Sequence, residues 1–183
     1  MSNIKIKIEG YDGLLLKLSK IAEMDLKRKV DKATALVHGQ AVSLAPTGVS
    51  GGAGLSGSIR METKRLPKAI QGKVYTNLEY APYVEFGTGI KGNGTYPYNI
   101  KGLNLAYKDA PWFIPASEIS DKVAEKYHFT KIYGKNGSEY YICYGQEAQP
   151  YMYPALKLNE KKIRAIMSEG VKETLRDICK GGK

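Results

Sequence analysis

Leu26, Val30, Ala33, Val37, Ala41 and Leu44 recur every three or four residues, a spacing that a helix gathers onto one face and a strand scatters over two. The stripe begins near Asp25, and Pro46 ends it, because proline supplies no backbone N–H and its ring clashes with the preceding turn. A helix apolar on one side must cover that side with another layer. Upstream, Leu14, Leu15, Leu18, Ile21 and Ala22 predict a separate, shorter helix with Asp12 as its amino-terminal cap. Near the other end, Ile163, Ile166, Met167, Val171, Leu175 and Ile178 predict a closing helix, with Pro154 suited to its first turn and Gly181-Gly182 ending it.

Between the helices the period changes to two. Ile4, Ile6 and Ile8 alternate with Lys5 and Lys7 as in a half-buried strand. Residues 58–64 and 69–80 predict an antiparallel meander turning at 65–68. Residues 127–133 and 138–144 predict a hairpin about Gly134-Lys135-Asn136-Gly137, where Asn-Gly suits a type I′ turn. Residues 117–126 predict a short helix. The fold class is therefore α+β: one antiparallel sheet packed against amphipathic helices, with a β-hairpin before the C-terminal helix. A chain of 183 residues suits a single domain over 1–183. Residues 90–126 are expected to be a loop-rich insertion or functional loop, and Tyr96, Tyr98, Tyr107 and Trp112 are read as loop anchors in preference to rings that stack bases or fill a protein groove.

The densest stretch is Ala81-Pro82-Tyr83-Val84-Glu85-Phe86-Gly87-Thr88-Gly89. Tyr83, Val84 and Phe86 favour extended backbone, so the expectation is a strand opened at Pro82 and ended by a tight turn with positive φ at Gly87 and Gly89. Glu85 lies between apolar neighbours, where a charge is costly unless a cation or backbone donors meet it.

A formal net charge of +10 favours an anionic partner: nucleic acid, a membrane surface or an acidic protein face. The cations cluster at Lys27, Arg28, Lys29 and Lys32, and at Lys157, Lys161, Lys162, Arg164, Lys172 and Arg176, both on predicted helices. Cys143 and Cys179 have no Cys-x-x-Cys companion, so neither a zinc site nor a disulfide framework is expected. No apolar run suggests a signal peptide or a membrane span, which places the chain in the cytoplasm before assembly.

Catalytic signals are missing, and the expectation is no enzyme, no cofactor and no metal. His38 and His128 each stand alone, and Glu79 and Glu85 need not converge. Gly-x-Gly-x-x-Gly patterns at 52–57 and 87–92 lack the strand-then-helix setting that a dinucleotide fingerprint requires.

Three passages, in order, resemble the tailed-bacteriophage neck family, also labelled minor tail component or head-tail joining protein. They are Ala45-Pro46-Thr47-Gly48 with Gly54-Leu55-Ser56-Gly57-Ser58-Ile59-Arg60; the Ala81–Gly89 stretch; and Gln149-Pro150-Tyr151-Met152-Tyr153-Pro154-Ala155-Leu156. Gly51 to Gly54 pad the first passage, and Tyr153 stands where the family pattern has Arg. The resemblance implies a structural virion protein that forms a homo-oligomeric ring and joins or completes head and tail with other neck and tail proteins. It assigns the assembly motif to Pro82, Tyr83, Glu85, Phe86, Gly87, Thr88 and Gly89, and a second motif to Pro150, Tyr151, Pro154 and Ala155. A basic nucleic-acid-binding module, with at least non-specific DNA contact, is the alternative that the charge suggests.

Overall fold

The computed structural model describes residues 11–47 and 54–180. The expected strand through Ile4, Ile6 and Ile8, most of the glycine-rich loop, and the Gly181-Gly182 stop lie outside the described residues. The elements run α1 (Tyr11–Leu44), α2 (Gly54–Ser58), β1 (Arg60–Leu66), β2 (Ala69–Tyr75), α3 (Ala81–Phe86), α4 (Gly89–Gly92), β3 (Trp112–Pro115), α5 (Asp121–Lys126), β4 (Thr130–Tyr133), β5 (Glu139–Cys143) and α6 (Met152–Lys180). The α+β class stands. Among the described residues the strands, however, form two sheets rather than one: the hairpin β1-β2, and a three-stranded antiparallel sheet of order β3-β5-β4.

The two helices expected before Pro46 are one helix of 34 residues. Glu23-Met24-Asp25, where a break was expected, contains neither glycine nor proline, so nothing there interrupts the backbone ladder. The helix ends at Leu44, two residues before Pro46.

The chain divides into two compact units. The first comprises Met1–Gly39, Arg60–Tyr75 and Leu156–Lys183. Within it β1 and β2 pair in register from Arg60↔Tyr75 to Leu66↔Ala69, leaving Pro67-Lys68 as the turn. Gly72 lets β2 approach α1, because a Cβ there would run into the Thr34 side chain and come within 3.3 Å of Val30. Lys29 is 8% exposed, and its ammonium reaches Glu173 of α6. Gly170 makes room for the Lys29 stem, which a Cβ would meet at 2.6 Å.

The second unit comprises Gln40–Ile59 and Thr76–Ala155. Its core includes Ala41, Ala45, Leu55, Ile59, Ala81, Tyr141, Tyr151 and Ala155. Ser58 Oγ donates to the Leu55 carbonyl at 2.6 Å and lies 2.7 Å from Thr76 Oγ1, which ties the two ends of the β1-β2 excursion together. The expected hairpin forms as β4-β5, but its turn is not type I′. Gly137 alone takes positive φ (79°), Gly137 N–H donates to the Gly134 carbonyl, and Asn136 Oδ1 accepts from Ser138 N–H. That is a type I turn closed by a glycine bulge, in which the asparagine side chain supplies the turn's extra bond.

Candidate functional site: a buried carboxylate at a helix start

The Ala81–Phe86 stretch is a helical turn, not the expected strand, with Pro82 in its first turn where a missing N–H costs nothing. Strand preference in Tyr, Val and Phe reflects fit to a half-buried sheet face, and here tertiary contacts decide otherwise. Helical spacing puts Ala81 and Glu85 together on the inner face, 4% and 5% exposed, while Tyr83 turns outward at 58%. A strand would have put Tyr83 and Glu85 on the same face. Gly87 then takes φ 77° and Gly89 φ 59°, the positive values expected of both.

Glu85 meets backbone donors, and they all belong to the 149–156 passage that carries the second motif. Its Oε2 accepts from Tyr151 N–H and Met152 N–H, each at 2.8 Å, and its Oε1 accepts from Tyr153 N–H at 3.1 Å. Those are the amides at the start of α6, which have no partner within the helix. The next residue, Pro154, has no N–H, and Ala155 N–H makes the first helical bond, to the Tyr151 carbonyl. One carboxylate thus satisfies every orphan donor of that helix end. Its negative charge also faces the positive end of the helix dipole.

The two motifs are joined along their length. Gln149 N–H donates to the Val84 carbonyl at 2.8 Å, and Gln146 Nε2 donates to the Tyr83 carbonyl at 2.9 Å. Thr88 and Gln146 exchange backbone bonds as an isolated antiparallel bridge. Gly87 is required at this approach: a Cβ there would stand 2.8 Å from the Ala148 backbone nitrogen.

The aromatic residues close the site from the side. Phe86, Tyr96, Tyr98 and Tyr153 form a chain of ring contacts with centroids 5.0, 5.6 and 4.9 Å apart. Tyr107 Oη donates to the Phe86 carbonyl at 2.8 Å. Tyr96, Tyr98 and Tyr107 are therefore loop anchors, as expected, and Tyr153 supplies a ring to the same chain, whereas Trp112, expected with them, opens strand β3 and pairs with Cys143. Burial, with the Glu85 charge second, pushes the Tyr151 phenol up to about 12 and the Tyr96 phenol higher still. The buried Tyr96 hydroxyl lies near Glu85 without an aligned hydrogen bond.

Of the first passage, Leu55 and Ile59 are core and Ser58 makes the tie to Thr76. The pairing of Glu85 with residues 151–153 spans more than sixty positions and was not legible in the sequence. Gly87-Thr88-Gly89-Ile90-Lys91-Gly92 follows a helical turn and passes into the single turn α4, so the dinucleotide setting is absent. Among the described residues no three His, Cys, Asp or Glu side chains converge as a metal set, and no helix is long and apolar enough to cross a membrane.

The arrangement binds two distant parts of one chain to each other through backbone amides and one carboxylate. Residues 15–87 match the HK97-gp10-like family model, described as "Bacteriophage HK97-gp10, putative tail-component". The match takes in the first passage and the second as far as Gly87, and it agrees with the resemblance to phage neck and tail components. No curated protein and no solved structure shows a significant match.

Proposed function

We propose that this chain is a structural virion protein of a tailed phage or prophage, which oligomerises as a ring at the neck or upper tail to complete or join head and tail. The match of residues 15–87 to a phage tail-component family carries the reading. Mechanism here is surface complementarity: subunits close a ring by burying outward-facing side chains against their neighbours. In the second unit Tyr83, Ile90, Leu103 and Leu105 are exposed apolar or aromatic groups suited to such contacts. The proposal treats 1–183 as one subunit in which 90–126 is an inserted contact segment. Glu85 acts from inside the subunit, holding the start of α6 to the motif so that Tyr83 and the Gly87–Gly89 corner are presented in a fixed shape.

The nucleic-acid reading is the weaker one, because no family match supports it and at least four of the ten cations in the two helical clusters are engaged in local ion pairs. Lys27 pairs with Asp31, Lys29 with Glu173, and Lys157 and Arg164 share Glu160. Light scattering and negative-stain microscopy of the purified full chain test the proposal. Closed rings are expected, and a chain that stays monomeric at every concentration while binding duplex DNA tightly would replace it.

A further inference from the structure

Within the second unit a groove of about 1050 Å³ opens beside the Gly87–Gly89 corner. Trp112, Tyr107, Tyr127 and Phe129 line it, and Lys91, Lys108 and Lys126 stand exposed along it. Glu147 is the one acid among the lining residues, so the groove is net positive.

One face of Trp112 and one of Tyr127 meet a lysine of the groove itself. The Lys108 ammonium lies 5.7 Å from the Trp112 ring centre and that of Lys126 lies 5.8 Å from Tyr127. Tyr127 also stacks on Phe129, at 5.9 Å and 23°. Tyr107 is tied through its hydroxyl to Phe86. A nucleobase stacking on Trp112 or Tyr127 from the ammonium side would first have to displace a lysine. The groove offers ammonium groups above apolar walls, which suit carboxylates with apolar side chains between them.

A backbone outlier sits at the same place. His128 lines the groove with φ 52°. It ends α5 in a Schellman motif, with His128 N–H donating to the Glu125 carbonyl and Phe129 N–H to that of Ala124. Glycine fills that position with less strain, and strained non-glycine backbone gathers at binding sites.

From the net charge and the lysines set over an aromatic wall, we infer that this groove docks an acidic peptide segment, with alternating carboxylate and apolar side chains, of another protein. The inference stands on the groove alone and does not require the ring. The test uses the full chain and fluorescence anisotropy with a labelled peptide alternating Glu with Leu and Phe, its Gln counterpart, and labelled oligo(dT). The expected result is binding of the Glu peptide at least tenfold tighter than the Gln peptide. K108E/K126E should weaken it tenfold or more, and the charge-matched pair K68E/K161E, on exposed positions of the first unit, less than twofold. Circular dichroism confirms that both double variants fold. Equal losses in the two double variants would reduce the effect to net charge and overturn the inference. So would absence of peptide binding, or oligo(dT) displacing the peptide through the same lysines.

Discussion

Replacing Glu85 isolates the contact that joins the two motifs. In Glu85→Gln the side chain keeps one acceptor oxygen, enough for the two amides that Oε2 serves, and turns an NH₂ toward the Tyr153 N–H, donor against donor. Charge-assisted bonds are worth about 1.5–3 kcal/mol and neutral ones about 1 kcal/mol, so losing the charge and one bond should cost about 2–3 kcal/mol. Glu85→Ala leaves three donors facing a cavity, at about 1–3 kcal/mol for each unsatisfied group, offset by no longer desolvating a carboxylate. The net expectation is about 3–5 kcal/mol for Ala, set against about 0.5 kcal/mol or less for the exposed control Glu79→Ala. Urea denaturation at neutral pH measures these differences, and amide hydrogen exchange localises them. Tyr151, Met152 and Tyr153 should lose protection first. A Glu85→Ala chain within about 1 kcal/mol of wild type would refute the reasoning, as would unchanged protection at those three amides.

Gly87→Ala must move backbone, because its Cβ would stand 2.8 Å from the Ala148 nitrogen at φ 77°, and a loss of about 2–4 kcal/mol is expected by urea denaturation. Gly72→Val should destabilise the first unit by a similar amount, about 2–3 kcal/mol, through its collision with Thr34, whereas Gln71→Val should be close to neutral by the same assay. His128→Gly relieves a left-handed residue and should raise stability by about 1 kcal/mol in thermal melts, while Tyr127→Gly should lower it. Tyr151 has its folded-state pKa raised to about 12, so the stability it contributes is complete below its unfolded value near 10 and is lost as pH rises toward 12. The loss from Tyr151 should be about 1–2 kcal/mol across that window, and Tyr151→Phe should make the fall in urea midpoints shallower by that amount, with the share of Tyr96 and Tyr141 remaining.

The part of α1 over 26–44, the closing helix and the pairing of β4 with β5 were readable because their signals are local: an apolar stripe, a proline stop, and turn residues between alternating segments; the continuity of α1 through 23–25 and the turn type were not. The positive φ at Gly87 and Gly89 was readable for the same reason. The helical turn at Ala81–Phe86 was not, since residues with strand preference formed it in order to aim Glu85 inward. The demand of Glu85 for donors followed from its apolar neighbours, yet the identity of those donors depended on the tertiary approach of residues 149–153. The third strand of the β4-β5 hairpin's sheet was hidden because β3, four residues long, lies in a stretch whose glycine and proline content reads as loop. The groove depended on residues from four separate segments, which no spacing rule connects.

The central claim is that this chain works by fitting together with other virion proteins. Electron microscopy of particles from a phage or prophage lacking only this gene tests it most directly. The account predicts DNA-filled heads and separate tails that stay unjoined, restored to whole particles when the wild-type chain is supplied in trans. Normal yields of complete, infectious particles from the deletion would contradict it.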